Sequence, residues 1–175
     1  MRRKVYTGEG HFHYVTFSCF RRMKLLDNPE PKKIVIDVLS HLVNEKDLIV
    51  VGFAIMPDHV HAILGYIEEK DHSVIMQEWK RWSSRFIRKY LEEINYPHLK
   101  ELKINTNSGE NVKIWERKYY DFNLYSTKKA IEKLNYMHQN PVRAGLVKKA
   151  EEYEWSSCRF YERKLEVGVE IRALM

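Results

Sequence analysis

The sequence predicts an α+β fold, a ferredoxin-like antiparallel sheet with helices packed on it, ending in a C-terminal helix. Three observations predict it. The hydrophobic period switches in the order β-α-β-β-α-β-α, the two central strand-like runs meet at the tight turn Met56-Pro57-Asp58, and 175 residues suffice for one domain with a sizeable core.

Each element has its own signal. Residues 13–20 alternate and are rich in β-formers, which predicts a first strand. A helix over 30–45 is opened by prolines and carries Ile34, Val38, Leu39 and Leu42 on one stripe. The β-branched run 48–55 predicts a buried strand, and 59–66 a returning one. Over 73–93 Ile75, Trp79, Trp82, Phe86 and Tyr90 recur at steps of three and four, a helical stripe. Pro97, Asn105, Asn107, Ser108 and Gly109 predict a loop over 95–112. Residues 114–125 read as extended and 127–139 as helical, with Pro141 ending that helix or starting another. A single domain over 1–175 is expected, its core at about 12–161 and a tail at 163–175 with no assigned role.

Lysine and arginine number 30 against 24 acidic residues, which favours an anionic partner without naming one. Cys19 and Cys158 are the only cysteines and lack a CxxC spacing, so neither a disulfide framework nor a cysteine-based zinc site is implied. The basic start Met1-Arg2-Arg3-Lys4 leads into no apolar signal core, and the run 48–56 is about half of the ~20 residues a bilayer requires. A cytoplasmic protein is the expectation.

His59 and His61 lie two apart on a strand, so their side chains share one face with Ile63, while Val60, Ala62 and Leu64 take the other. The second trio suits a buried face, which leaves two imidazoles together at a sheet end, close enough to bind one cation. Two half-exposed strand histidines read the same way, so the pair needs a third ligand and a reacting group.

The helix over 127–139 supplies candidates. Ala130, Ile131, Leu134 and Met137 form its apolar side, and Tyr136 lies nearly opposite, near Lys129, Lys133 and Asn140. Asn140 follows Tyr136 by one turn, which makes its amide oxygen a possible third ligand, although its place before Pro141 favours a cap or turn residue. A phenol near pKa ~10 needs activation or a polarised target to act as a nucleophile, a part open to Lys133 and to a metal on the histidines.

The segments Ala54-Ile55-Met56-Pro57-Asp58-His59-Val60-His61-Ala62-Ile63-Leu64, Trp115-Glu116-Arg117-Lys118-Tyr119-Tyr120-Asp121 and Asn135-Tyr136-Met137-His138-Gln139-Asn140-Pro141-Val142-Arg143-Ala144-Gly145-Leu146-Val147 together resemble the single-tyrosine HUH transposases, in particular the REP-associated tyrosine transposases. Tyr153-Glu154-Trp155-Ser156-Ser157-Cys158-Arg159 resembles the same branch, and the likeness runs from about residue 14 to 161. It implies a divalent metal, Mg2+ or Mn2+, on His59, His61 and Asn140, and Tyr136 as the nucleophile. It also implies a single-stranded DNA substrate with a hairpin, cut and rejoined through a 5′-phosphotyrosine. The chain departs from the pattern at Asp58, where asparagine is more familiar, and in the length of 95–112.

For DNA contacts, Arg81, Arg85 and Arg88 lie with Ser84 away from the Trp79-Trp82-Phe86 stripe, which is read as core. Arg2, Arg3, Lys4, Arg21, Arg22, Lys24, Lys133 and Arg143 are further cationic candidates. Tyr119-Tyr120 rivals Tyr136, although neither tyrosine has a ligand four residues on. A non-catalytic nucleic-acid-binding module and a water-using metal phosphodiesterase are the alternative functions. A homodimer sharing its active sites and a monomer both remain open.

Overall fold

The computed structural model describes residues 12–66, 71–107 and 109–174, so the basic cluster Arg2, Arg3 and Lys4 lies outside the described residues. Strand β1 (Phe12–Ser18) leads through a tight turn at Phe20–Arg22 into helix α1 (Pro29–Lys46). Strands β2 (Leu48–Ile55) and β3 (His59–Tyr66) form a hairpin, and α2 (His72–Glu93) follows, its N-terminus capped by the Asp71 carboxylate accepting from Ser73 N. After β4 (Lys103–Thr106) and β5 (Gly109–Val112) come β6 (Tyr120–Leu124) and α3 (Thr127–His138), capped by Ser126. Two short helices close the chain, α4 (Asn140–Arg143) and α5 (Cys158–Arg163).

The main sheet has the order β2-β3-β1-β6 with every neighbour antiparallel, so β3 is inserted between β1 and β2. That is the split βαβ arrangement of the α+β, ferredoxin-like class that the element order predicts.

The sheet is covered on both faces. Val15, Phe17, Val60, Ala62 and Leu64 join one core with Leu39 and Leu42 of α1 and Met76, Trp79, Ile87 and Leu91 of α2. Tyr14, Ile49, Val51, Ala54 and Ile63 join a second, smaller core with Leu124 and with Ala130, Leu134 and Met137 of α3. The expectation that only the Val60-Ala62-Leu64 face is buried is therefore corrected, since α3 lies on the His59-His61-Ile63 face. The physical sign is β2, whose eight residues are all buried, as an unbroken apolar run requires.

Four further expectations change. Residues 95–112 are a 3-10 turn at Leu99–Leu102 followed by the β4–β5 hairpin rather than an open loop. These strands are mostly exposed and polar, so they carry no alternation to betray them. Ile131 is 45% exposed, because Ala130, Leu134 and Met137 already follow the 3.6 period and Ile131 sits ~100° away. On α2 the buried stripe is Ile75, Met76, Trp79, Ser83, Ile87 and Leu91, so Phe86 is exposed and Trp82 half-buried. The tail belongs to the core: Val167, Val169 and Ile171 are buried in it, and Arg172 N donates to Val50 O.

Gly52 sets how closely α3 approaches the sheet. A Cβ there would lie 2.4 Å from Leu134 Cδ1 and 2.9 Å from Ser157 Oγ, so the missing side chain lets the helix sit close. Among the described residues no helix is long and apolar enough to cross a membrane.

Candidate active site

The β1–β3 register sets Ser18 opposite His59 and Thr16 opposite His61, which puts both histidines beside the side chains of β1. His59 and His61 face each other through their Nε2 atoms, 3.0 Å apart. Their other nitrogens are held from behind. His59 Nδ1 is 2.6 Å from Asp58 Oδ1, and His61 Nδ1 is 2.9 Å from Tyr14 Oη and 2.7 Å from Thr16 Oγ1. A proton on each Nδ1 satisfies these partners and leaves both Nε2 lone pairs directed at one point, the way metal-binding imidazoles are oriented by outer partners.

The electrostatics keep the pair neutral. Burial, then the charges of His59, Arg22 and Lys133, lowers the His61 imidazole to about 3. Burial also lowers His59, although Asp58 opposes it. Asp58 in turn meets Arg22, whose Nε lies 3.0 Å from Asp58 Oδ2 and whose Nη1 donates to Ser18 Oγ at 2.8 Å. Arg21 and Arg22 both hold positive φ, 54° and 57°, a conformation that costs non-glycine residues about 1 kcal/mol each. That double turn brings Arg22 back beside the histidines, while Arg21 turns away, its Nη1 donating to Glu101 O.

Helix α3 brings the tyrosine. Tyr136 is 48% exposed on the outer side of α3, as its phase predicts. Lys133 Nζ lies 5.1 Å from the Tyr14 ring centroid, 5.6 Å from that of Phe122 and 5.7 Å from that of Tyr136. The Tyr14 ring stacks on His61 at 5.7 Å, so a continuous row runs His61–Tyr14–Lys133–Tyr136 within one chain. Arg143 closes the far end. Its guanidinium stands 4.5 Å over the Tyr136 ring, and its Nη1 donates to Tyr136 O and to Asn140 Oδ1, both at 3.3 Å.

Asn140 opens α4 one turn after Tyr136, and its buried Nδ2 lacks a hydrogen-bond partner. Among the described residues no hydrogen bond joins Asn140 to either histidine. The rival Tyr119 lies on the other face, near His72 and Lys80, and Tyr120 is exposed beside Tyr14. Sequence reasoning missed Tyr14 and Thr16. Both sit on the right parity of the first strand, but only the cross-strand register, invisible in one sequence, pairs them with His61.

The arginines of α2 divide. Arg81 and Arg85 are exposed and stand 5.2 and 5.6 Å from the Trp82 ring, which stacks on Phe86. Arg88 is engaged within the chain, its Nη1 donating to Asn111 Oδ1 at 3.2 Å and its Nε 3.7 Å from Glu92.

Residues 7–140 match the family model described as IS200-like transposase. A Haemophilus influenzae protein provisionally named a REP-associated tyrosine transposase is 24% identical over 107 residues, 61% of this chain and 57% of that relative, so the match spans little more than half of its length. A solved structure of the REP-associated tyrosine transposase bound to a REP hairpin is similar with TM-score 0.64 and 17% identity, covering 100% of this chain and 93% of the other. A crystal structure of a Deinococcus radiodurans protein, provisionally named a transposase, gives TM-score 0.51 and 19% identity over 79% of this chain and 98% of that one. At these identities the structural likeness is one of fold.

Proposed function

The chain belongs to the IS200-like transposase family, and from that premise we propose that it cuts and rejoins hairpin-bearing single-stranded DNA through a 5′-phosphotyrosine on Tyr136. The observation that carries this reading is the row from His61 through Tyr14 and Lys133 to Tyr136, which gathers an imidazole pair and an exposed phenol on one sheet face of one chain. A nucleic-acid substrate is consistent with a cytoplasmic site of action.

The residues fit a divalent ion. The 3.0 Å between the two Nε2 atoms matches the ~3 Å between adjacent ligands of a six-coordinate ion with bonds of about 2.1 Å. Asn140, through the amide oxygen that now accepts from Arg143, is the proposed third ligand. Magnesium or manganese held there supplies Lewis acidity toward a phosphate oxygen.

The chain's own groups do the rest. Tyr136 Oη forms a bond to phosphorus and gives up its proton, and the bond from phosphorus to the 3′-oxygen breaks, that oxygen leaving as a hydroxyl. The Lys133 ammonium favours the phenolate, and Arg143 holds the ring from the other side, close enough to meet a phosphate. A 3′-hydroxyl from another strand end attacks the same phosphorus and releases the phenol, so the bond energy is conserved and no nucleotide is consumed. Arg81 and Arg85 are the exposed cations proposed to track the DNA backbone, with Arg21, Arg22 and Arg88 engaged within the chain.

Tyr136→Phe is expected to abolish the denaturation-resistant DNA adduct on a gel run after incubation with manganese, and to leave binding within about twofold. An adduct that survives in this variant transfers the role to another residue. Mixing Tyr136→Phe with His61→Ala tests whether one chain supplies both halves of the site. The expected outcome is no recovery, and recovered cleavage assigns the site to two chains.

A further inference from the structure

A second cluster of metal-binding side chains lies on the opposite face of the sheet from His59 and His61. Parity along β1 separates them, because Tyr14 and Thr16 face His61 whereas His13 points to the side of Val15 and Phe17. There His13 from β1, His72 from the first turn of α2 and Asp121 from β6 converge, with one ligand atom from each within 4.8 Å of the others. His13 Nδ1 lies 2.9 Å from Asp121 Oδ1, and His72 Nε2 lies 3.7 Å from Asp121 Oδ2.

His72 is the member that calls for a ligand. It is 9% exposed, and its Nε2 is fully buried without a hydrogen-bond partner. Its Nδ1 is hydrogen-bonded to the Tyr66 hydroxyl. When Nδ1–H donates to the Tyr66 oxygen, Nε2 offers a buried lone pair towards the Asp121 carboxylate, an arrangement that a cation between them satisfies. In the other tautomer Nε2–H points at an oxygen 3.7 Å away, too far for a hydrogen bond. An outer hydroxyl fixing one nitrogen while the other meets a carboxylate is the pattern of a metal-bound imidazole. Burial, then the neighbouring His13, lowers His72 to about 4, so near neutrality it needs no deprotonation to act as a ligand.

We propose that His13, His72 and Asp121 form a second metal site, independent of the proposed catalytic pair and suited to zinc. Two imidazoles and one carboxylate make the three-ligand set that zinc completes with water. Zinc bonds of about 2.0–2.2 Å at a tetrahedral centre set ligand atoms about 3.4 Å apart, so the His13–Asp121 contact opens slightly and the wider spacings close. The His13 and His72 rings, stacked at 4.0 Å and 8° apart in plane, pivot out of their stack to converge on the ion. The ion then ties together β1, α2 and β6, segments far apart in sequence. The site is a structural clamp, and no step of the strand transfer runs through it.

The test is zinc binding by the full chain carrying His59→Ala and His61→Ala, which removes the proposed catalytic pair. Calorimetric titration at pH 7 is expected to give one zinc per chain and a rise in Tm, and addition of Asp121→Asn to abolish both. Asp121 is an exposed residue and the exchange is isosteric, so the fold is retained, as circular dichroism checks. His13→Gln gives a second route to the same loss. Cobalt(II) replaces zinc as a visible probe, its absorption bands expected in the His59→Ala/His61→Ala chain and absent after Asp121→Asn. No zinc bound in the parent chain, or stoichiometry unchanged by both Asp121→Asn and His13→Gln, overturns the proposal. Neither result bears on Tyr136, whose own adduct assay is separate.

Discussion

Under α1 and α2 the sheet presents Val15, Phe17, Val60, Ala62 and Leu64 to a broad apolar core anchored by Trp79, which is itself pinned by its Nε1 donating to Val35 O. Under α3 the same strands present Tyr14, His61 and Ile63 to a narrow core, flanked by exposed Tyr136 and by Lys133 among aromatic rings. The first face has the apolar contact area that stabilises a fold. The second trades area for polar groups whose pairing must be supplied locally. A small scaffold can therefore concentrate stability on one side of a sheet and chemistry on the other, a division that substitutions on each face can probe.

The largest expected effect is on acid stability. His138 sits in the α3 face, buried, with Nε2 2.8 Å from Ser157 Oγ, and burial lowers its imidazole to about 4. The unfolded chain takes up this proton near pH ~6.5, before the folded one does, so the contribution is complete above ~6.5 and is lost as the pH falls towards about 4. Some two and a half pH units amount to a loss on the order of 3 kcal/mol. Urea midpoints measured from pH 7 to 4 are expected to drop, and more gently in His138→Gln. Equal slopes in the two proteins would clear His138.

Next in size is the support behind His61. Removing both hydroxyls, in Tyr14→Phe with Thr16→Val, leaves His61 Nδ1 without its partners and is expected to weaken manganese binding at the proposed catalytic pair by about 10–100-fold. Excess manganese should restore much of the cleavage. If cleavage at limiting manganese matches the unaltered chain, the imidazole is oriented by something else.

Gly52 tests the contact between face and helix. In Gly52→Ala the new methyl meets Leu134 and Ser157, so α3 must shift outward at a cost of about 1–3 kcal/mol. Because α3 also bears Tyr136, adduct formation should fall further than DNA binding does. Parallel losses in both would mean that the variant is only less folded.

How far the sequence alone reaches follows the same division. The boundaries of β2 and β3 were legible to the residue, because an unbroken apolar run and a proline turn mark them physically. The exposed phase of Tyr136 was legible from the period of α3. Burial of the histidine face was not, since it depends on a helix seventy residues away in the chain. Nor was the hairpin at 103–112, whose polar strands pair through backbone groups that every residue carries. Asp58 stands out as a departure from the family pattern, and its bonds to His59 and Arg22 depend on a turn at Arg21 and Arg22 that residue types do not foretell.

The smallest effect concerns the outer side of α2, on the scaffold half of the molecule. Arg81 and Arg85 flank the Trp82–Phe86 stack without a carboxylate partner among the described residues, whereas Arg88 is tied to Asn111 and Glu92. A cation already paired releases no counterion when DNA arrives, so Arg81 and Arg85 should carry most of any contribution from this helix. Arg81→Gln with Arg85→Gln is expected to weaken single-stranded DNA binding roughly tenfold at low salt and to reduce the slope of log affinity against log salt by about 1.4, some 0.7 for each phosphate no longer neutralised. Arg88→Gln should change the slope by less. Fluorescence anisotropy with a labelled oligonucleotide across a salt series reads both quantities. A slope that stays fixed in the double variant would confine DNA to the α3 side and make the division between the two faces complete.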